Sequence, residues 1–237
     1  MSDSREALYL IAGGRGIARP RGPDPLLQAV VRQAGVPRPR VAYVGAASGD
    51  NPAFRLLVGR MLEKAGAGGV TLAPMCGRRA DVDKARAVLE AADLVFISGG
   101  DVEEGMRVLQ SRDMLPFLRK MQRAGKPFFG VSAGSIMLAR TWVRWTDPKN
   151  DDSAERFPCM GFAPVLCDTH SEGDGWSELK ALLALSPVGA AGYGIVSGTA
   201  LVVGSDGAVG ALGGEVHVFR RRKAGVAQVE SLHPKEA

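Results

Sequence analysis

The sequence predicts an α/β fold, a mostly parallel β-sheet flanked by helices with an antiparallel extension near its C-terminal end. Three observations predict it. Through the first two-thirds of the chain, short apolar runs alternate with amphipathic stretches. The runs lack polar alternation, as strands buried on both faces of a parallel sheet do. After Arg140 the texture changes to short β-like runs spaced by glycine-rich turns, which reads as antiparallel pairing.

In chain order, strands are expected at Leu8–Ala12, Val41–Gly45, Val70–Ala73, Leu94–Ser98 and Pro127–Val131. Helical patterns lie between them at Pro25–Ala34, Pro52–Ala65, Asp81–Ala91 and Val102–Arg123, the last broken near Asp113. Asp24, Asn51 and Asp81 stand where an N-cap carboxylate or amide accepts from exposed amides, and Pro25 and Pro52 fit first helical positions. Gly35 and Gly66 mark helix ends. This alternation argues for βαβ units with right-handed crossovers. The segment 142–162 is irregular, with Pro148 and Pro158, and predicts no element. A helix follows at Trp176–Leu185, then strands at Tyr193–Val196, Ala200–Val203, Ala208–Leu212 and Val216–Arg220, read as an extension of the same sheet. No linker or internal repeat divides the chain, so one domain over residues 1–237 is expected.

Composition narrows the class. Apolar residues make up 46% and charged residues 23% of 237, enough for a real core in an ordinary globular protein. The net charge of +5 gathers in an arginine-rich start (Arg15, Arg19, Arg21, Arg32, Arg38, Arg40) and in the run Arg220 to Lys223. Neither cluster carries a nucleic-acid motif or interleaved aromatics, so both read as solvated surface and no nucleic-acid partner is expected. Cys76, Cys159 and Cys167 are odd in number and lack metal-type spacing, which points to a reducing compartment without disulfides. The apolar stretch at the N-terminus is too short for a signal core, and no run approaches membrane-span length. A cytoplasmic protein without membrane contact is expected.

The chemistry centres on Phe128-Phe129-Gly130-Val131-Ser132-Ala133-Gly134-Ser135. An apolar strand runs into Gly-x-Ser-x-Gly and then a helical segment, the pattern of a nucleophile elbow. Such a turn exposes the serine hydroxyl, and the Ala133 N–H at the helix start faces a developing oxyanion. A serine nucleophile needs a base. Of three histidines, His233 lies in the tail and His217 inside a late strand. His170 follows the apolar run Ala163–Leu166 and precedes a glycine-rich turn, at a strand end where α/β sites gather. For the acid, Asp147, Asp151, Asp152, Asp168, Glu172 and Asp174 all compete, because triads recur with different chain orders. A second oxyanion donor fits the strand ending Ser98-Gly99-Gly100-Asp101. Gly13-Gly14-Arg15-Gly16 invites a dinucleotide reading, but its third glycine position holds Arg19 and no acidic residue follows the second strand, so no cofactor is expected there.

These residues resemble the serine-peptidase family of dipeptidase E and cyanophycinase, within the class I glutamine-amidotransferase-like, flavodoxin-like superfamily. The resemblance rests on the Gly99-Gly100 loop, the Gly130-Val131-Ser132-Ala133-Gly134 elbow and the Cys167-Asp168-Thr169-His170 site. A late hairpin, Gly194-Ile195 through Thr199-Ala200-Leu201, resembles that of the cyanophycinase branch. It implies Ser132 as nucleophile, His170 as base, and Gly100 with Ala133 as oxyanion donors. By spacing in the dipeptidase branch it implies Asp147 as acid. His170-Ser171-Glu172 echoes the His-x-Glu pair of amidotransferases and makes Glu172 the alternative acid. Two departures bear on specificity. Ser171–Trp176 lacks the arginines that select an acidic substrate residue in dipeptidase relatives, and Val196-Ser197 stands where relatives often place an acid.

The function expected is hydrolysis of a small peptide or amide through an acyl-enzyme on Ser132, with neither metal nor organic cofactor required. The alternative is a catalytically silent amidotransferase-like module that binds a small ligand or protein partner. The oligomeric state stays open, a homo-oligomer included.

Overall fold

A computed structural model describes residues 7–13 and 22–234 of the chain. Gly14, Arg15 and Gly16 of the glycine-rich motif, with Arg19 and Arg21 of the basic start, lie outside the described residues. The first five strands, β1 (Leu8–Ile11), β2 (Arg40–Val44), β3 (Gly69–Ala73), β4 (Leu94–Ile97) and β5 (Phe128–Val131), are mutually parallel. They stand in the order β1-β5-β4-β2-β3, and β10 (Ala200–Val203) and β11 (Val209–Leu212) extend the β1 edge antiparallel.

The helices form where the apolar spacing and caps direct. Asp24 accepts the Leu26 amide at 2.8 Å before α1 (Pro25–Gln33), and Asn51 accepts the Ala53 and Phe54 amides at 3.0 Å before α2 (Pro52–Lys64). Each cap satisfies donors that a helix start leaves orphaned. Asp81 does the same for Lys84 before α3 (Val82–Ala91). The long fourth pattern divides into α4 (Val102–Ser111) and α5 (Met114–Arg123), with Asp113 at φ 53° between them.

Two apolar clusters cover the two faces of the large sheet. Leu10, Val44, Ile97 and Phe128 pack toward α3, α4 and α5, while Ile11, Tyr43, Phe96 and Phe129 pack toward α1 and α2. Both sets come from the same strands at alternate positions, which is why those runs carry no polar residue.

Two expectations about the second half are corrected. Segment 142–162 is not irregular throughout. β6 (Thr141–Trp145) and β7 (Ala154–Pro158) pair antiparallel as an isolated hairpin, and Pro148 falls in its turn. The late strands also do not all extend the first sheet. β8 (Cys167–Thr169), β9 (Ala191–Ile195), β12 (Val216–Arg222) and β13 (Gly225–Gln228) form a second sheet in the order β13-β12-β9-β8. Cys167, Ile195 and Val216 of this sheet enter the larger core cluster. α7 (Ser177–Ala184) packs a third cluster, with Leu179, Leu182, Leu183, Trp176 and Phe219. The second sheet is therefore fixed to the first through shared core, and its strand β8 carries the histidine to the sheet's C-terminal end.

Candidate active site

Ser132 stands between β5 and α6 (Ala133–Leu138) at φ 55° and ψ −125°, outside the basins that a residue with a Cβ prefers. Such a conformation costs on the order of 1–3 kcal/mol and persists only when the surroundings over-determine it. Here the carbonyl of Ile11 at the end of β1 does so twice. It accepts the Ser132 amide at 2.9 Å and the buried Ser135 hydroxyl at 2.9 Å. The first turn of α6 also lies directly on β4. A Cβ on Gly134 would collide with the carbonyl of Ile97 and lie 2.8 Å from that of Ser98, so the elbow closes only with glycine there.

His170 reaches the serine from the second sheet. Its backbone amide donates to the Ile195 carbonyl at 3.0 Å, carrying the β8–β9 ladder one residue past β8, and its φ of 46° turns the chain out of the strand. The ring nitrogen Nε2 lies 2.7 Å from Ser132 Oγ. A serine hydroxyl held this close to an imidazole is the geometric requirement for general-base activation.

The glycine loop after β4 backs onto the same serine. A Cβ on Gly99 would lie 3.2 Å from Ser132 Cβ and 3.8 Å from its Oγ, and a Cβ on Gly100 (φ 141°) would strike the Ala47 carbonyl. Among the described residues neither the Gly100 nor the Ala133 amide has a hydrogen-bond acceptor within the protein.

The carboxylates divide clearly. Asp147 lies in the β6–β7 turn, exposed, with its side chain accepting the Lys149 amide at 3.0 Å while its own amide donates to Ser153 Oγ. Among the described residues neither Asp147 nor Glu172 hydrogen-bonds His170. The Asp147-Pro148 step is used as a turn starter, and Asp151 and Asp152 lie in the same turn. Glu172, two residues beyond His170, accepts the Ser197 amide at 2.6 Å and so ties the loop after β8 to the loop after β9. Burial pushes its carboxyl up, but the Ser197 hydrogen bonds and the neighbouring His170 outweigh this and leave it below the usual range. Asp174 accepts the Trp176 amide at 2.9 Å.

The sequence model of peptidase family S51 matches residues 8–209. The chain belongs to peptidase family S51. Among solved structures, the S51 chain is similar to a peptidase from an acI-B1 Actinobacterium (TM-score 0.71, 18% identity, 96% of both chains covered). It is also similar to a putative peptidase E protein of Listeria monocytogenes EGD-e (TM-score 0.59, 13% identity, 87% of this chain and 97% of that one). These two likenesses are of fold, a mostly parallel sheet flanked by helices with antiparallel strands toward the C-terminus. Curated relatives include the pyridoxal 5'-phosphate synthase subunit PdxT of Geobacillus kaustophilus, 27% identical over 114 residues (48% of this chain, 53% of the relative). The PdxT subunit of Geobacillus sp. (strain WCH70) is 34% identical over 113 residues (48% and 54%). The chain spans about half the length of these curated relatives.

Two features of this S51 site go beyond the sequence pattern, the burial of Asp168, one of the competing acids, and a chain of hydroxyls. Asp168, in β8 beneath His170, is 3% exposed, and one of its oxygens has no partner in the described protein. Burial raises its carboxyl to about 6, the Thr169 amide opposes that rise, and Glu178 and Asp174 add to it. Beneath the glycine loop, Tyr43, Ser48 and the fully buried Ser98 join their hydroxyls in a chain. Tyr43 and Ser48 lie fifty or more residues from Ser98, so no spacing rule groups them. The remaining histidines lie elsewhere. His217 sits in β12 against the Trp176 ring, with centroids 5.7 Å apart, and His233 is in the tail after β13.

Proposed function

We propose that this S51 peptidase is a serine hydrolase that cleaves a small peptide or amide through an acyl-enzyme on Ser132. The 2.7 Å contact between Ser132 Oγ and His170 Nε2, on an elbow held in a strained conformation, carries the reading. Oγ attacks the scissile carbonyl carbon while Nε2 takes its proton. The carbonyl π electrons move to oxygen, and the Gly100 and Ala133 amides stabilise that oxyanion. The tetrahedral species collapses, the C–N bond breaks, and the imidazolium returns its proton to the leaving amine. Water then attacks the acyl carbon with His170 again as base, and the acid product leaves Ser132 free. The imidazolium returns the proton taken from that water to the departing Ser132 Oγ, so the protein supplies nucleophile, base and oxyanion donors while water is the co-substrate.

Glu172 fits the supporting acid better than Asp147, because it stands two residues from His170 and the nearby imidazole helps hold its carboxyl in the charged form. Its work is electrostatic, stabilising the imidazolium. A cytoplasmic setting belongs to the proposal, and three free cysteines support it.

Labelling with a fluorophosphonate tests the reading, since the reagent requires an activated serine. Wild-type protein is expected to label at Ser132, with labelling lost in Ser132→Ala and reduced at least about 100-fold in His170→Gln. Wild-type protein left unlabelled would sink the hydrolase reading and favour the silent ligand-binding module.

A further inference from the structure

We propose that Ser98 is the positioning residue of the oxyanion site, its buried hydroxyl locking the Gly99–Gly100 peptide so that the Gly100 amide faces the reacting carbonyl. The proposal rests on the serine-hydrolase reading above and assigns a role to a residue that reading does not use.

The backbone on both sides of this peptide is pinned. The Ser98 amide donates to the Val44 carbonyl at 3.0 Å, and the Asp101 amide donates to the Ala47 carbonyl at 2.9 Å. Two peptide units lie between the pins, Ser98–Gly99 and Gly99–Gly100, and the second is flanked by two residues without a Cβ. Two glycines place little steric barrier on a coupled rotation about ψ of Gly99 and φ of Gly100. A peptide is planar and trans, so its carbonyl and amide point in opposite directions. Whatever holds the Gly99 oxygen therefore aims the Gly100 N–H.

Ser98 Oγ lies 3.2 Å from the Gly99 oxygen and 3.1 Å from Ser48 Oγ, which in turn lies 3.4 Å from the Tyr43 hydroxyl. Ser48 Oγ donates to the Gly45 carbonyl at 3.1 Å, a carbonyl that also accepts the Ser48 and Asp50 amides at 3.0 Å. The Ser98 proton goes to the Gly99 oxygen, and Ser48 Oγ packs against Ser98 Oγ from the other side. Tyr43 stands at the far end of the chain, where burial raises its hydroxyl above the ordinary range against the opposing hydrogen bonds of Ser48 and Ser98. A hydrogen bond on the Gly99 carbonyl draws charge toward oxygen and makes the Gly100 N–H of the same peptide a stronger donor. Ser98 is fully buried and touches no solvent, so it acts through the peptide and not on substrate.

The test uses the full-length protein and two readouts. The first is the position of the Gly100 amide cross-peak in a 15N–1H spectrum. The second is the second-order rate of fluorophosphonate labelling. In Ser98→Ala the Gly100 resonance is expected to move and the labelling rate to fall about tenfold, less than the loss of a whole oxyanion donor. Ser98→Thr, which restores the hydroxyl, should recover both. Either change without the other, or neither, overturns the proposal. Should Ser98→Ala fail to fold, Tyr43→Phe and Ser48→Ala are expected to move both readouts in the same direction by smaller amounts, and unmoved values there overturn it equally. If wild-type protein does not label at all, the hydrolase reading falls. The Gly100 resonance still decides whether Ser98 holds the peptide.

Discussion

A side chain in an unfavourable state carries information when its neighbours explain why it stays there. Ser132 is one such residue, held at positive φ by the Ile11 carbonyl and by the close approach of Gly134 to β4. Asp168 is another, since a carboxyl with one unpartnered oxygen in a nearly closed site disfavours its own ionisation. Its folded value of about 6 stands above the ordinary 3.8. Between these values the folded state binds more protons than the unfolded one, so stability falls as pH rises through that window. Above about pH 6 the whole penalty is present, roughly 2–3 kcal/mol at 1.36 kcal/mol per unit. Below about pH 4 it vanishes. Asp168→Asn keeps the shape and removes the ionisation. The variant is expected to melt higher than wild type at pH 8 and to lose that advantage by pH 4. Melting curves across this range check it, and an advantage that grows toward acid would contradict the sign. Neither residue announces this state in the sequence, because it depends on what later strands bury around it.

At the scale of the element, the β6–β7 hairpin shows what the sequence conceals. Thr141-Trp142-Val143-Arg144-Trp145 does alternate over its first three residues, with Thr141 and Val143 buried, but the bulky Trp142 on the opposite face hides the period. Asp147 sits in its turn, accepting from Lys149. Asp147→Asn is therefore expected to keep fluorophosphonate labelling within about twofold of wild type, because an asparagine serves the same turn. Glu172→Gln, beside His170, is expected to slow labelling by about tenfold or more through the lost charge. Matched labelling rates for the two variants would remove Glu172 from the role, and a larger loss in Asp147→Asn would return the acid to the hairpin. The buried strands were legible for the opposite reason. Val41–Gly45 and Leu94–Ser98 face apolar layers on both sides, and a continuous apolar run records that directly. The elbow was legible because its chemistry needs glycine at fixed positions, while the pairing of Ser132 with His170 followed from there being so few histidines. The second sheet was not. Its strand β8 is three residues long, and membership of one sheet or another is settled by pairing partners far along the chain.

On the scale of the whole molecule, the site is a junction, with the serine on the large sheet and the histidine on the small one. The tryptophans offer a way to ask whether the two sheets fold as one. All three, Trp142, Trp145 and Trp176, belong to or pack against the cluster under α7, and Trp142 also touches the larger core. Intrinsic fluorescence thus reports the small sheet and its surroundings, whereas far-UV circular dichroism reports mainly the helices around the large sheet. If the small sheet were a separate unit, it would melt on its own and the two signals would part. The contacts argue otherwise, because Cys167 of β8, Ile195 of β9 and Val216 of β12 are buried in the same cluster as Leu10 and Ile97 of the large sheet. Opening the small sheet alone would strip these side chains from that core, at about 25 cal/mol for each Å² of apolar surface exposed. The two probes are therefore expected to give coincident urea transitions with one midpoint, the behaviour of a single cooperative domain. A fluorescence midpoint clearly below that of circular dichroism would separate the sheets, and labelling at Ser132 should then be lost with the fluorescence, since His170 leaves with the small sheet.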